Sequence, residues 1–361
     1  MMTTGSPADI AASERPAGFA ELTSLVRRAV EVRLALLLGE AVEGMGRCGP
    51  DAVAAIDALR ALALRGGKRF RPVLIAAAHE ACAGQGEGPT SEAVVLAGAA
   101  IELLQAYLLI HDDWMDGDLV RRGGPSVHAM LRSAYGDPAA GDAAAILAGD
   151  YASALAQQAL LAMPIAPERV VAAGRAFAKV QREVIAGQLL DMRGAPAEGV
   201  EAMHDLKTGS YTVRGPLAIG AILAGANADQ RAALDRFASP LGIAFQLRDD
   251  LLGTFGDPKA TGKPAGNDLR RGKRTALVAA LAEDADADPL TKRVLGVADA
   301  SDADVAALVA RMETSGARAR VEGRLRELLA VAEGELAAAP LSALGKRWLL
   351  GAVKALGERE S

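Results

Sequence analysis

Aromatic residues are scarce in this 361-residue chain: they make up 3% of it, against 51% for apolar residues as a whole. The core must therefore be built mostly from Ala, Leu and Val, and Ala and Leu are strong helix formers. Cysteines number two, Cys48 and Cys82. That excludes a disulfide framework and a Cys-rich zinc site and suits a reducing cytosol. Basic residues show no excess; the net charge is −5, so no general attraction to nucleic acid is expected. The first 18 residues, MMTTGSPADIAASERPAG, lack an apolar core and read as a disordered leader rather than a secretion signal. The most membrane-like stretch, residues 93–110, carries Glu102 and Gln105 and reads as a buried core helix, not a span. A soluble, cytoplasmic protein is expected.

No run shows the sustained alternation of a strand, and apolar spacing predicts an all-α chain. Helices are expected at 19–46, 51–64, 71–83, 91–116, 139–162, 167–193, 200–209, 211–226 and 229–253, with further ones near 274–282, 290–298, 302–315, 317–337 and 340–356. Residues 19–361 read as one all-helical domain, with no change of composition that would split them and no internal repeat. One connection stands out. Residues 253–273, GTFGDPKATGKPAGNDLRRGK, hold five Gly and two Pro. A connection of that length is uncommon in a compact domain unless it is functional or disordered.

Two acidic clusters each end an apolar helical run. In DDWMD, Asp112 and Asp116 are four residues apart, one above the other on a helix, with Asp113 beside them. Like charges at such a helix end repel, and a multivalent cation relieves the repulsion. Oxygen ligands without His or Cys favour magnesium-like ions. The second cluster, Asp249 and Asp250 in FQLRDDLLG, has Gly253 at its fifth position, with Asp257 four residues on as the candidate replacement. Either cluster alone is a weak signal, since a solvated acidic helix end has the same composition.

The basic groups are local. GGKRFRP places Lys68 and Arg71 at a helix start behind two glycines, where backbone amides attract anions. Arg121 and Arg122 follow the first acidic cluster, Lys207 and Thr208 lie in KTGSYT at an expected helix break, and Lys263 and Lys273 lie in or beside the long loop. Arginine forks match diphosphate oxygens bidentately, while lysine acts as a point charge. A lone basic residue is usually a solvated surface charge; their placement beside glycines and carboxylates makes a joint coincidence less reasonable.

GGKRFRP, ELLQAYLLIHDDWMD, RRGGPSVH, GQLLD, KTGSYT, FQLRDDLLG and GKPAGNDLRRGK occur in this order. Together they resemble the trans-isoprenyl diphosphate synthases, the polyprenyl synthetase family, over roughly residues 40–280. The resemblance implies an isoprenoid synthase-like helical bundle around a central cavity and a homodimer. It implies head-to-tail condensation of isopentenyl diphosphate with an allylic diphosphate, releasing pyrophosphate. Asp112, Asp113, Asp116, Asp249 and Asp250 would bind Mg2+, up to three ions with substrate bound, and the two clusters would face one cavity. Arg121, Lys207, Lys263 and Lys273 would bind the allylic diphosphate. Lys68, Arg71, Gln105 and Arg122 would hold isopentenyl diphosphate, and Thr208 and Gln246 would line the reacting centre, with Lys207 counted among the catalytic groups.

Magnesium would neutralise the leaving diphosphate, and the 253–273 loop would exclude water. Tyr107, five residues before Asp112, is the single aromatic placed to set chain length, which in this family accompanies a geranylgeranyl product, with farnesyl or longer prenyl diphosphates as alternatives. Tyr107 as a plain packing residue is the competing reading. His79, His111, His128 and His204 read as core or supporting residues. A class I terpene cyclase would show an Asn/Ser/Glu second motif, which is missing; a non-catalytic subunit would have lost charged motif residues, and nearly all are kept.

Overall fold

The computed structural model describes residues 15–83, 88–193, 199–256, 266–273, 275–282 and 289–357. Among these the long elements are all helices. They are α1 (Phe19–Met45), α2 (Pro50–Leu64), α3 (Phe70–Ala83), α4 (Glu92–Asp116), α5 (Val127–Tyr135), α6 (Pro138–Leu161), α7 (Pro167–Arg193), α8 (Val200–His204), α9 (Gly215–Ala224), α10 (Ala228–Phe255), α11 (Asn267–Arg270), α12 (Ala276–Ala282), α13 (Pro289–Val294), α14 (Asp302–Thr314), α15 (Ala317–Ala338) and α16 (Ala343–Gly357). A π-helical segment, Asp205–Arg214, joins α8 to α9. Two short strands, β1 (Val120–Arg121) and β2 (Gly124–Pro125), pair antiparallel as a tight hairpin.

The chain divides into two compact units. Unit 1 holds residues up to Phe177, then Pro216–Ala228 and Leu341–Leu349. Its helices are built on apolar stripes at helical spacing. In α1, Leu22, Val26, Val30, Leu34 and Leu38 recur every fourth residue and all are buried. α4 packs on α1, α2, α3 and α6, and its burial is nearly continuous from Ala93 to Leu104. By length and composition α4 is apolar enough to cross a membrane, yet 78% of its most apolar window is buried inside the protein, as a core helix requires. Asp137 caps α6 by accepting from the N–H groups of Ala139 and Ala140, with Pro138 at the first helical position. Trp348 of α16 is fully buried and its indole N–H donates to the Pro16 carbonyl at 3.0 Å. This ties down the last residues of the expected leader; residues 1–14 lie outside the described part.

Unit 2 holds Ala178–Gly215, Asp229–Pro340 and the chain from Leu350. α10 contributes Phe237, Leu241 and Leu247 to its core, and α12 and α14 contribute Leu277 and Met312. Burying side chains of this size is worth roughly 1.5–3 kcal/mol each. At its edge the Arg318 guanidinium lies 4.5 Å over the Phe255 ring.

Three expectations are corrected. α5 was not anticipated: at nine residues between the Gly124–Pro125 and Gly136–Asp137–Pro138 breakers, it offers too few turns for periodicity to register. The hairpin β1–β2 is too short to show alternation. The expected break at KTGSYT is absent; Gly209 does not end the helix, because the backbone widens into the π segment and continues to α9.

Candidate active site

In unit 1 the acidic cluster forms the last turn of α4. Gly117 ends the helix at φ +68, and the Asp118 N–H donates to the Asp113 carbonyl at 2.8 Å, so the chain turns back at once into the hairpin. Asp113 is fully buried, while Asp112 and Asp116 are half-buried. The hairpin returns Arg121 onto the carboxylates. Its Nε donates to Asp113 Oδ1 at 2.7 Å, its Nη2 also reaches Asp113 Oδ1, and it lies 3.6 Å from Asp112 and 3.7 Å from Asp118. Burial pulls the Arg121 guanidinium down, but the bond to Asp113 and the surrounding carboxylates outweigh it and raise its proton affinity. Burial pushes the Asp113 carboxyl above its ordinary range against the pull of Arg121. Asp113 is thus committed to Arg121, which leaves Asp112 and Asp116 as the cluster's outward pair.

The basic groups of unit 1 are held by residues that sequence reasoning missed. Arg69 is buried, adopts φ +49, and donates to Glu102 Oε2 at 2.6 Å, to Glu31 Oε1 at 3.3 Å and to the Ala63 carbonyl at 2.8 Å. Arg65 donates to the carbonyls of Arg121 and Pro125 at 2.9 and 2.8 Å, pinning the hairpin from below. Arg122, at φ +52 in the hairpin turn, donates to the Gly66 carbonyl at 2.9 Å. Of the expected isopentenyl diphosphate set, Arg71 is buried at the start of α3 and acts electrostatically on Arg122 of the hairpin, Lys68 is exposed, and Gln105 lies one turn beyond Glu102 on α4. Burial lowers the proton affinity of Arg122; Glu102 opposes this, and Arg69, Arg71 and Arg121 add to it. A signal for this support was present: a carboxylate such as Glu102 inside an apolar helix requires a buried cation.

Tyr107 lies against His111 with ring centroids 4.6 Å apart and the rings tilted by 56°. His111 Nε2 lies 3.2 Å from the Ile146 carbonyl and 3.6 Å from Asp150, so the pair is anchored to α6.

In unit 2, Lys207 and Thr208 lie in the π segment, where Thr208 is buried. The Lys207 ammonium donates to Asp191 of α7, from the GQLLD motif. This contact needs α7 and the π segment to touch: a Cβ on Gly187 would stand 2.3 Å from the Lys207 backbone nitrogen, so no other residue fits there. Arg214 staples the far end of the segment to Asp205 at 2.7 and 2.8 Å and to Glu183 at 3.3 Å. Asp250 is buried with both oxygens engaged: Oδ1 accepts from Gln246 Nε2 at 2.7 Å, and Oδ2 accepts from the Ala276 N–H at 3.0 Å with His204 Nε2 3.8 Å away. Burial raises its proton affinity, against His204, the Ala276 N–H and Gln246. Asp249 is half-buried on the same helix end, and Lys273 lies 3.7 Å from Asp268. Lys263 and Asp257 lie outside the described residues. His204, read as a bland core residue, turns out to face a motif carboxylate.

The donor set suits a hard divalent ion. Among the described residues no three His, Cys, Asp or Glu side chains converge into a complete cage.

A family model described as polyprenyl synthetase matches residues 54–312. The short chain isoprenyl diphosphate synthase of Methanocaldococcus jannaschii is 37% identical over 226 residues, 62% of this chain and 64% of that protein. The (2E,6E)-farnesyl diphosphate synthase of Mycobacterium tuberculosis is 38% identical over 216 residues, 59% of this chain and 56% of that protein. The matched stretch thus spans less than two thirds of the length of these curated relatives. Among solved structures, geranylgeranyl pyrophosphate synthase from Corynebacterium glutamicum, complexed with isoprenyl diphosphate and magnesium, matches with a TM-score of 0.86 and 33% identity, covering 94% of this chain and 99% of that one. With a helical fold shared with that synthase and a family model spanning well over half of its length, the chain belongs to the polyprenyl synthetase family.

Proposed function

We propose that the protein is a prenyltransferase that condenses isopentenyl diphosphate with an allylic diphosphate, head to tail, to a short-chain prenyl diphosphate, with geranylgeranyl diphosphate as the product. The observation that carries this reading is in unit 1: an outward carboxylate pair, Asp112 and Asp116, with the Arg121 guanidinium 3.6 Å from Asp112, and the buried Arg69 and Arg71 close enough to act on Arg122. Such a site gains from a polyanion at the arginines and from a divalent ion at the carboxylates. A metal-bound diphosphate supplies both.

Bound Mg2+ supplies Lewis acidity to the departing diphosphate. Asp112 and Asp116 are the proposed metal ligands of unit 1, and Asp249 is the proposed ligand of unit 2. Asp113 keeps Arg121 oriented toward the carboxylates; Arg121 in unit 1, and Lys207 and Lys273 in unit 2, are the proposed groups for the allylic diphosphate. Asp250 acts through Gln246, whose amide it fixes. Lys68, Arg71, Gln105 and Arg122 bind isopentenyl diphosphate. The hydroxyl of Thr208 and the amide of Gln246 offer dipoles to the allylic cation formed when the C–O bond breaks. The isopentenyl double bond attacks that cation, and the released proton passes to pyrophosphate, so no enzyme nucleophile is required. Tyr107, held by His111, limits chain growth. A homodimer in the cytoplasm is the assembly and location that the family resemblance supports.

The test is product analysis. Purified protein with Mg2+ and isopentenyl diphosphate is given dimethylallyl, geranyl or farnesyl diphosphate. The reading expects geranylgeranyl diphosphate from each starter; no incorporation of isopentenyl diphosphate from any of them contradicts it.

A further inference from the structure

Arg65 belongs to none of the motifs that carry the family likeness, yet it grips the backbone of one of them. It is the C-cap of α2, and the turns before it are anchored by the fully buried Leu59 and Leu62. Its half-buried guanidinium reaches across to the hairpin. There Nη1 donates to the carbonyl of Arg121 in β1 at 2.9 Å and to that of Pro125 in β2 at 2.8 Å. One group thus spans both strands. Room for it comes from Gly124: a Cβ there would stand 2.7 Å from Arg65 Cζ and 2.9 Å from Nη1. The guanidinium therefore fills the space that a side chain at 124 would take.

The attachment runs in both directions. Arg122 donates to the Gly66 carbonyl at 2.9 Å, and a Cβ on Gly67 would lie 3.6 Å from Arg122 Nη1. Residues 65–67 and the hairpin therefore exchange arginine–carbonyl bonds. Arg122 also sits at φ +52, a backbone conformation that a residue with a side chain keeps only when its surroundings hold it. Both bonds of Arg65 go to backbone carbonyls, one on each side of that turn, so what they fix is the position of the strands. The Arg121 side chain leaves the chain at the residue whose carbonyl Arg65 holds, and it donates to Asp113 at 2.7 Å and lies 3.6 Å from Asp112. A shift of β1 would carry that guanidinium off the carboxylates.

We propose that Arg65 is a positioning residue for the hairpin arginines: by holding the backbone of Arg121 across both strands, it sets where the Arg121 guanidinium meets a diphosphate. This rests on the prenyltransferase reading and adds to it a residue from outside the motifs. Arg65 acts through Arg121 and does not itself touch substrate. Gly124 is its counterpart, because only a residue without a Cβ leaves the guanidinium its place between the strands.

The test displaces the guanidinium in two ways in the full-length protein. Arg65→Met removes it, and Gly124→Ala keeps Arg65 but puts a methyl group where its guanidinium lies. Binding of inorganic pyrophosphate with Mg2+ present is measured by calorimetry, and kcat and KM are measured for both substrates. Each variant is expected to bind pyrophosphate roughly 10-fold more weakly and to lose roughly 10- to 100-fold in kcat/KM for the allylic diphosphate. Arg65→Met added to Arg121→Met is expected to bind pyrophosphate no worse than Arg121→Met alone, because the loss travels through Arg121. A merely structural role would lower the urea midpoint and leave the affinity of the folded molecules at the wild-type value. Wild-type pyrophosphate affinity in either folded variant overturns the proposal, as does a double variant whose losses multiply. Failure of the wild type to make product would instead overturn the prenyltransferase reading, and the pyrophosphate comparison, which needs no turnover, still decides the role of Arg65.

Discussion

The two units hold their charged groups by different means. In unit 1, charge is balanced against charge: Arg121 closes on Asp113, and Arg69 on Glu102 with both side chains nearly fully buried. In unit 2 the buried carboxylate Asp250 is held by an amide, a backbone N–H and a histidine, while Lys207 and Arg214 are tied to α7 along a widened helix. The first arrangement is rigid and intolerant, because removing either member strands the other in a place without water. The second combines dipoles around Asp250 with partly exposed ion pairs at Lys207 and Arg214, each of which is worth less on its own. The buried pairs of unit 1 thus fail when either member is lost, whereas the partly exposed Lys207 and Arg214 of unit 2 can be altered while the fold survives.

Substitutions in the two units sharpen this contrast. The largest effect is expected at the outward carboxylates. Asp112→Ala should lower kcat/KM by at least roughly 1,000-fold, about 4 kcal/mol of transition-state stabilisation, with the unfolding midpoint little changed; steady-state kinetics and urea denaturation check both halves. Next comes Arg69→Met, which leaves Glu102 buried without its cation. It should cost about 3–5 kcal/mol of stability, seen as a lower urea midpoint, whereas Lys207→Met in unit 2 should lose roughly 100-fold or more in turnover with a stability change of only about 1 kcal/mol. Equal stability losses at the two positions would break the comparison. Tyr107→Ala should shift the product by one or more isoprene units toward longer chains, read by chromatography; an unchanged product would reduce Tyr107 to a packing residue.

The smallest effect is a pH slope in unit 1. Burial lowers the proton affinity of His128, and Arg132 adds to it while Asp142 and Asp118 oppose it. Because the folded protein binds this proton less readily than the unfolded chain, the neutral ring's contribution is present above about pH 6.5 and is lost as pH falls through that value. His128→Asn should flatten the dependence of stability between pH 7 and pH 5, measured by denaturation at each pH. A slope identical to the wild type would remove His128 from that account.

Legibility in the sequence follows the same division. The long helices of unit 1, though not the short α5, and the DDWMD cluster were readable because apolar periodicity and charge lie side by side in the chain. Arg121 and Arg122 were readable for the same reason, since a four-residue turn returns them to the helix they follow. Arg69 and Glu102 escaped notice because their partnership spans separate elements, although a carboxylate in the middle of α4 announced a missing cation. In unit 2 the π segment was misread as a break: Gly209 is a breaker by propensity, and nothing in a linear pattern shows that Arg214 and Lys207 would staple a widened helix to α7. Asp191 lay inside a quoted motif, yet its role depends on the close approach at Gly187.

The central proposal is that Asp112 and Asp249 are both required for the condensation. Incorporation of labelled isopentenyl diphosphate at saturating Mg2+ by the wild type, Asp112→Ala, Asp249→Ala and the double variant tests it most directly. Each single change should cost roughly 100-fold or more, and the double should be little worse than the more damaging single change, as groups acting as a unit behave. Losses that multiply as independent effects, or an Asp249→Ala enzyme that works at the wild-type rate, would contradict it.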